Sequence, residues 1–165
     1  PFFEVYLESE YYANENWYAK MALSYQNSVS YTYPRTLEKV ISKAFPVEIH
    51  YTFNKDYTIK FIAEQQLMYN SFRIDKKNFF NQLFSISFVR SPNFTFTFST
   101  EYTTDDEEPS GKKNWNEAEV SYNVNSSNIV TVSYGSERGG LRCTSGICRY
   151  VNPFDGFRLT VTSKF

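Results

Sequence analysis

Two cysteines stand close together near the end of the sequence. Cys143 and Cys148 are separated by four residues, one of which is Gly146, and the chain has two cysteines in total. Two thiols at this spacing can close a small ring, and a glycine helps the chain to turn. A metal site or a redox switch is the alternative, but two thiols without nearby His or acidic partners supply half of a zinc site. We therefore predict a Cys143–Cys148 disulfide on an external loop, and no metal or cofactor.

The single histidine is the next candidate for chemistry. His50 lies two residues after Glu48, so in an extended strand both side chains share one face. A barrel enzyme would need a nucleophile or a carboxylate cluster beside the histidine, and the sequence shows no such motif. We interpret His50 as a hydrogen-bonded residue of a polar face, and we predict that the protein is not an enzyme.

A run of four acids, Asp105-Asp106-Glu107-Glu108, is the third candidate. Clustered carboxylates suit Ca²⁺, but this run lacks the spaced ligands and the turn glycine of a dedicated site. Charge runs of this kind are typical of solvated loops. The prediction is a solvated external loop, with a Ca²⁺ site as the alternative.

The elements that carry these residues are predicted from strict alternation of apolar and polar residues. Aromatic residues make up 19% of the chain, and apolar residues, many of them aromatic, recur at every second position in nine segments of about ten residues. Such segments are typical of tilted strands that cross a bilayer. Examples are Trp17 to Tyr25, Tyr57 to Tyr69 and Phe94 to Tyr102. The fold class is therefore all-β, an antiparallel up-and-down transmembrane β-barrel.

The connections between these segments alternate in length. Short turns are predicted at 13–15, 54–56, 91–93 and 125–128, and long loops at 27–40, 70–78, 104–113 and 138–153. Outer-membrane barrels have short periplasmic turns and long extracellular loops, which places the C-terminus in the periplasm. Closure of a barrel requires an even number of strands. Because nine strands are predicted, we expect residues 1–165 to be the C-terminal portion of one larger barrel domain.

A soluble sandwich or a lipocalin-like barrel is the alternative, because it shows the same period. Three features favour the bacterial outer membrane. Aromatic residues such as Trp17 and Tyr69 cluster at strand ends, the polar face is charged along its length, and the alternation ends on Phe165. Phe165 is predicted to be a signal for the barrel-assembly machinery. Other expected partners are outer-membrane lipid, lipopolysaccharide and subunits of a larger outer-membrane complex. A net charge of -1 does not indicate nucleic-acid binding.

The polar positions of the alternating segments are predicted to line the lumen. They carry more acids than bases, so a water-filled lumen would favour cations, unless the acids pair with bases on other strands or on a plug. We expect a channel or transport component for small solutes, or alternatively a non-conducting accessory barrel of a larger complex. The predicted lining residues are Glu4, Glu8, Lys20, Glu48, His50, Lys60, Glu64, Glu101, Glu119 and Arg158.

The last thirty residues carry a resemblance to a known family. The run from Ser136 to Cys143, then Cys148-Arg149, the segment Pro153 to Gly156 and the terminal Phe165 resemble the C-terminal end of an uncharacterised family of outer-membrane barrel proteins from Bacteroidota. The resemblance implies a location and a fold, and it brings no catalytic residues.

Overall fold

Eleven β-strands make up the regular structure of the described residues. The computed structural model describes residues 2–32, 36–144 and 147–163, and residues 30–32, 36, 140–144 and 147–151 by their backbone alone. No helix in the described part of the chain has the length and hydropathy needed to cross a bilayer. The strands are β1 (Phe2–Asn14), β2 (Trp17–Thr32), β3 (Thr36–Asn54), β4 (Tyr57–Asn70), β5 (Asn78–Arg90), β6 (Phe94–Thr103), β7 (Asn114–Asn123), β8 (Asn128–Glu137), β9 (Gly140–Thr144), β10 (Ile147–Val151) and β11 (Phe154–Ser163).

Nine of these strands form one sheet. Its order is β1-β2-β3-β4-β5-β6-β7-β8-β11, and each neighbouring pair is antiparallel. The prediction of nine up-and-down antiparallel strands is therefore confirmed. The sheet is open, because β1 and β11 are its two edges and do not pair with each other.

Two of the predicted long loops are wrong in detail. The predicted loop 27–40 is mostly strand, because β2 and β3 stay paired as far as Thr32 opposite Thr36. The predicted loop 138–153 contains a second small sheet, the β9–β10 hairpin. Alternation of apolar residues marks the paired segments that have one apolar face. In 27–40 the alternation of Val29 and Tyr31 with polar residues is interrupted by Asn27 and Lys39 at apolar-face positions, while backbone hydrogen bonds keep the two strands paired.

The two faces of the sheet differ in composition and in exposure. The apolar face is the exposed one: Leu23 is 58% exposed and Val161 is 63% exposed. On the opposite, polar face Glu64 is 8% exposed and Ser133 is 2% exposed. The apolar face comprises Phe3, Val5, Leu7, Leu23, Phe45, Phe61, Phe84, Phe96, Val120, Phe157, Leu159 and Val161, all exposed. Ile49 and Val132 share the strand parity of this face but are half-buried.

This arrangement reverses that of a soluble domain. Within the described residues, strands contact their sheet neighbours, and no second layer of helices or strands packs on either face. The accessible surface is 10827 Å², against about 8,500 Å² for a compact soluble protein of this mass. The excess consists largely of apolar side chains that lack a covering layer.

Gly135 on β8 allows a close approach of the neighbouring strand β7, and Gly156 on β11 lies opposite it. Gly135 and Gly156 are paired, with φ of 131° and 116°. A Cβ on Gly135 would lie 2.1 Å from the backbone oxygen of Asn116 in β7, whereas a Cβ on Gly156 meets nothing within 4 Å.

We expect Gly135→Ala to destabilise the sheet more than Gly156→Ala does. Both variants carry the same backbone strain of roughly 1–3 kcal/mol, but Gly135→Ala must also push β7 and β8 apart. Urea unfolding of both variants in the same lipid or detergent measures the difference. Equal losses of stability would show that contact with Asn116 does not matter.

Candidate functional site

All ten residues predicted to line a lumen lie on the polar face of the sheet, as their strand parity and register require. The register also sets charges of opposite sign side by side. Lys20 lies opposite Glu10 on one neighbouring strand and Glu48 on the other, and His50 lies opposite Lys60. Acidic and basic groups therefore alternate across the first three strands on the rung of Lys20, whereas the fourth strand carries Ile62 there.

Lys20 is the centre of the charges near the β1 edge. Its Nζ lies 2.7 Å from Glu8 Oε2 and 3.9 Å from Glu10 Oε1. The hydroxyls of Tyr12 and Tyr18 donate to Glu10 at 3.2 and 3.1 Å. One cation and two phenols thus hold two carboxylates of β1 in place.

His50 is held by its own strand. Its Nε2 lies 2.5 Å from Glu48 Oε1, and the ring of Tyr18 lies 5.0 Å away, centre to centre. Within the described residues, no group of three or more His, Cys, Asp and Glu side chains is arranged to hold a metal ion. The geometry accounts for His50 as a hydrogen-bonded residue of the polar face.

Arg158 joins the last three strands of the sheet. Its Nη2 lies 3.0 Å from Glu117 Oε1 on β7 and 2.8 Å from Glu137 Oε2 on β8, and its guanidinium lies over the ring of Phe154 at 4.4 Å. Both carboxylates are buried. On the same rung as Arg158, Ser133 donates to Glu119 at 3.2 Å. Part of the acidic excess of this face is therefore paired within the sheet itself.

A chain of buried polar side chains crosses β3 to β6 near the long-loop end. Gln66 donates to Ser42 at 3.0 Å, Asn81 donates to Gln66 at 2.8 Å, and Thr103 donates to Asn81 at 2.7 Å. Thr103 Oγ1 in turn accepts from the backbone N–H of Asp105 at 3.1 Å. All five residues are more than nine-tenths buried. Strand parity places the first four on the polar face, but their mutual contacts depend on register, which the sequence pattern does not contain.

The loops 71–77 and 104–113, which we call the loop pair, are joined by the acidic run. Arg73 Nη2 lies 2.5 Å from Asp105 Oδ2, and Asp105 is 1% exposed. Glu107 Oε1 accepts from the backbone N–H groups of Ile74 and Asp75 at 2.6 and 3.2 Å. These contacts hold the two loops together at the end of the sheet.

The other acids of the run also have partners. Glu108 Oε2 lies 3.0 Å from Arg138 Nε, and the Arg138 guanidinium also reaches Glu101 and the ring of Trp115. Asp106 accepts from Lys113 Nζ at 2.8 Å. The prediction of a solvated acidic loop holds for Asp106, which is exposed, but it is wrong for Asp105 and Glu108, which arginines cover. Those two arginines come from 32 and 30 residues away along the chain, whereas Lys113 is seven residues from Asp106.

The Lys113 ammonium, through its hydrogen bond and its charge, holds the pKa of Asp106 below its usual range. A carboxylate with a lowered pKa stabilises the folded state above its unfolded pKa, and this contribution is lost as the pH falls through the folded value. The Asp106–Lys113 contact is therefore fully present at neutral pH and weakens in acid.

A row of aromatic rings lies on the apolar face at the short-turn end. Trp17 and Tyr51 are 4.6 Å apart between ring centres, Tyr51 and Phe53 are 6.3 Å apart, and Phe53 and Tyr57 are stacked at 5.6 Å. Phe88 continues the row at 5.8 Å from Tyr57. Four neighbouring strands, β2 to β5, contribute to this row.

Comparison with known proteins identifies the family. A family described as "Family of unknown function (DUF6029)" matches residues 1–165. The chain belongs to DUF6029. A search of the curated proteins found no match, and neither did a search of the solved structures.

The two cysteines of this DUF6029 chain lie opposite each other in the β9–β10 hairpin, where Cys148 pairs with Cys143 across the two strands. Directly opposed residues in an antiparallel pair have Cα atoms about 4.5–5.5 Å apart, which lies within the range that a disulfide spans. Their side chains lie outside the described part of the structure, as does Phe165, the predicted assembly signal.

We expect Cys143 and Cys148 to be disulfide-bonded at the cell surface. A thiol reagent that does not cross membranes should label neither residue on intact cells until a reductant is added. The Cys148→Ser variant is the control, because it frees Cys143 for labelling without reduction. Labelling of the unreduced wild-type protein would mean free thiols and would revive the metal-site alternative.

Proposed function

We propose that this DUF6029 chain is part of an integral β-barrel of the bacterial outer membrane, from the Bacteroidota family that its last thirty residues resemble. In this proposal the short turns and the C-terminus lie in the periplasm. The polar face lines the lumen of a non-enzymatic channel or transport component for small solutes. The single observation that carries the proposal is the exposed apolar face opposite a buried, charged face. A bilayer covers such an apolar face without a protein partner.

The height of the apolar face supports the proposal. On β4 the interval from Tyr57 to Tyr69 is twelve residues, which is about 40 Å along a strand at roughly 3.3 Å per residue. With a tilt of about 40° this interval spans about 30 Å across a membrane, close to the apolar band of outer-membrane barrels. The aromatic row that contains Trp17 and Tyr57 lies at one boundary of the band, where such barrels carry girdles.

Conductance measurements test the channel. The full-length protein in planar lipid bilayers should open stepwise conductances, and Glu119→Lys, which reverses a charge on the polar face, should shift the reversal potential in a salt gradient toward anions. Glu15→Lys is the matched control, since Glu15 lies exposed in the first short turn. Equal shifts in both variants, or no conductance, would contradict the channel.

A non-conducting accessory barrel is the second candidate, favoured by a specific observation. At the long-loop end, the polar face is covered by the loop pair and by the buried side chains that are hydrogen-bonded in a row from Ser42 on β3 to Asp105. Thr103 and Asp105 are almost fully buried there. Crowding of this kind narrows a lumen. Membrane insertion without conductance, together with stable co-purification of other outer-membrane proteins, would favour this candidate.

A further inference from the structure

An open depression of about 380 Å³ interrupts the apolar face between β1 and β4. Apolar side chains from all four strands form its walls, among them Leu7, Leu23, Phe45 and Leu67, and its floor lies along Ser24 and Ala44. It opens where the pairing of β2 and β3 is interrupted, between Met21–Val47 and Ser24–Ala44, beside Pro46. Proline has no N–H to donate to a neighbouring strand. The sheet itself therefore forms a trough wide enough for a hydrocarbon chain.

One lysine lies at the rim of this trough. Lys43 is exposed on the apolar-face side of β3, which also carries Lys39, and it lies opposite Tyr25 on β2 and Leu67 on β4. No ion pair of Lys43 with another described residue is present in the structure. Its flexible stem can lie along apolar surface while the ammonium reaches a polar layer.

The position of Lys43 along its strand places this ammonium near a membrane boundary. Lys43 is eight residues from Tyr51 of the aromatic row, which is about 26 Å along the strand. At a tilt of about 40° this is about 20 Å across an apolar band roughly 25 Å tall. The lysine thus lies near the boundary on the long-loop side, where lipid headgroups begin.

We propose that the trough binds an acyl chain of an anionic lipid of the outer leaflet, whose phosphate contacts Lys43. The inference rests on the proposed membrane location and adds a lipid-binding site to it. An anionic lipid complements both parts of the site, because its hydrocarbon covers the apolar walls and its phosphate pairs with the cation. Gln65 also lines the trough. Its side-chain oxygen accepts a hydrogen bond from Gln82 at 2.6 Å, so this oxygen does not need a hydrogen-bond donor from the occupant.

Native mass spectrometry of the full-length protein can measure this binding. The probes are lipid A with its phosphates and the same lipid after their removal. We expect Lys43→Gln to lower the retention of phosphorylated lipid A roughly fivefold, the factor that one basic residue contributes to binding an anionic membrane lipid. Retention of the dephosphorylated lipid should not change. Leu23→Trp, which fills the trough, should lower the retention of both lipids.

Leu159→Trp is the matched control, because Leu159 lies on the apolar face outside the trough. Equal retention of phosphorylated lipid A by the wild type and Lys43→Gln would overturn the lipid site and leave the membrane location standing. The site would also be overturned if Leu159→Trp acted like Leu23→Trp, or if a second protein occupied the trough in place of lipid. Release of the protein from outer membranes by alkaline carbonate would overturn the proposed function as well.

Discussion

Replacing Phe61 by lysine is expected to lower the free energy of unfolding of the membrane-inserted protein by about 2–4 kcal/mol. Phe61 lies on the apolar face of β4, four residues from Tyr57 of the aromatic row, which is about 10 Å from the membrane boundary that we propose, at a tilt of about 40°. This depth is near the middle of the apolar band. A lysine there must hold its charge in hydrocarbon or bend toward a boundary, and both are costly.

The adjacent residue supplies the control for this prediction. Ile62 points to the polar face and lies opposite Glu48 on β3, so Ile62→Lys places the same charge beside a carboxylate. We expect Ile62→Lys to lower the free energy of unfolding much less than Phe61→Lys does. Urea unfolding of both variants in lipid vesicles measures the difference. In a water-soluble protein Phe61, which is 40% exposed, would tolerate lysine, so a neutral Phe61→Lys would contradict the membrane location.

Removal of the Arg73 side chain should destabilise the long-loop end by a free energy of similar size. Arg73→Ala leaves the carboxylate of Asp105, which is 1% exposed, without its guanidinium. Breaking a buried ion pair in this way costs about 3–5 kcal/mol. We expect the loop pair to open more often, with amide hydrogen exchange at Thr103 and Thr104 faster by about two orders of magnitude or more.

Lys112→Ala is the comparison for Arg73→Ala. Lys112 contacts Asp155, and both side chains are exposed, so the loss should be about 0–1 kcal/mol. The double variant Arg73→Ala, Asp105→Asn should recover part of the loss, because it removes the buried charge as well. Unchanged amide exchange in Arg73→Ala would show that the loop pair is held by other contacts.

Much of the sheet could be predicted from alternation alone. A strand repeats every two residues, so apolar residues at every second position mark the strand and assign each side chain to a face. This is why the nine strands and the shared face of residues as distant as Glu8 and Arg158 followed from the sequence. The predicted loop 27–40 failed because polar residues such as Asn27 and Lys39 interrupt the pattern where β2 and β3 remain paired.

The partners of individual charges could not be predicted in the same way. Asp105 and Arg73 are 32 residues apart, and the contacts of Arg158 with Glu117 and Glu137 span 41 and 21 residues. Each contact depends on strand register and on how a loop folds back. A shift of one residue in register would move every side chain to the other face.

The sequence by itself determined the all-β class, the nine strands of the large sheet and the division into an apolar and a polar face, because these follow from a local period of two. Only the tertiary structure decided that the sheet is open, that the acids of 105–108 are paired, and that a trough containing Lys43 lies between β1 and β4. These features arise where strands distant in sequence meet. The stability of these features depends on which side chains are buried next to one another, and a local sequence pattern does not specify that.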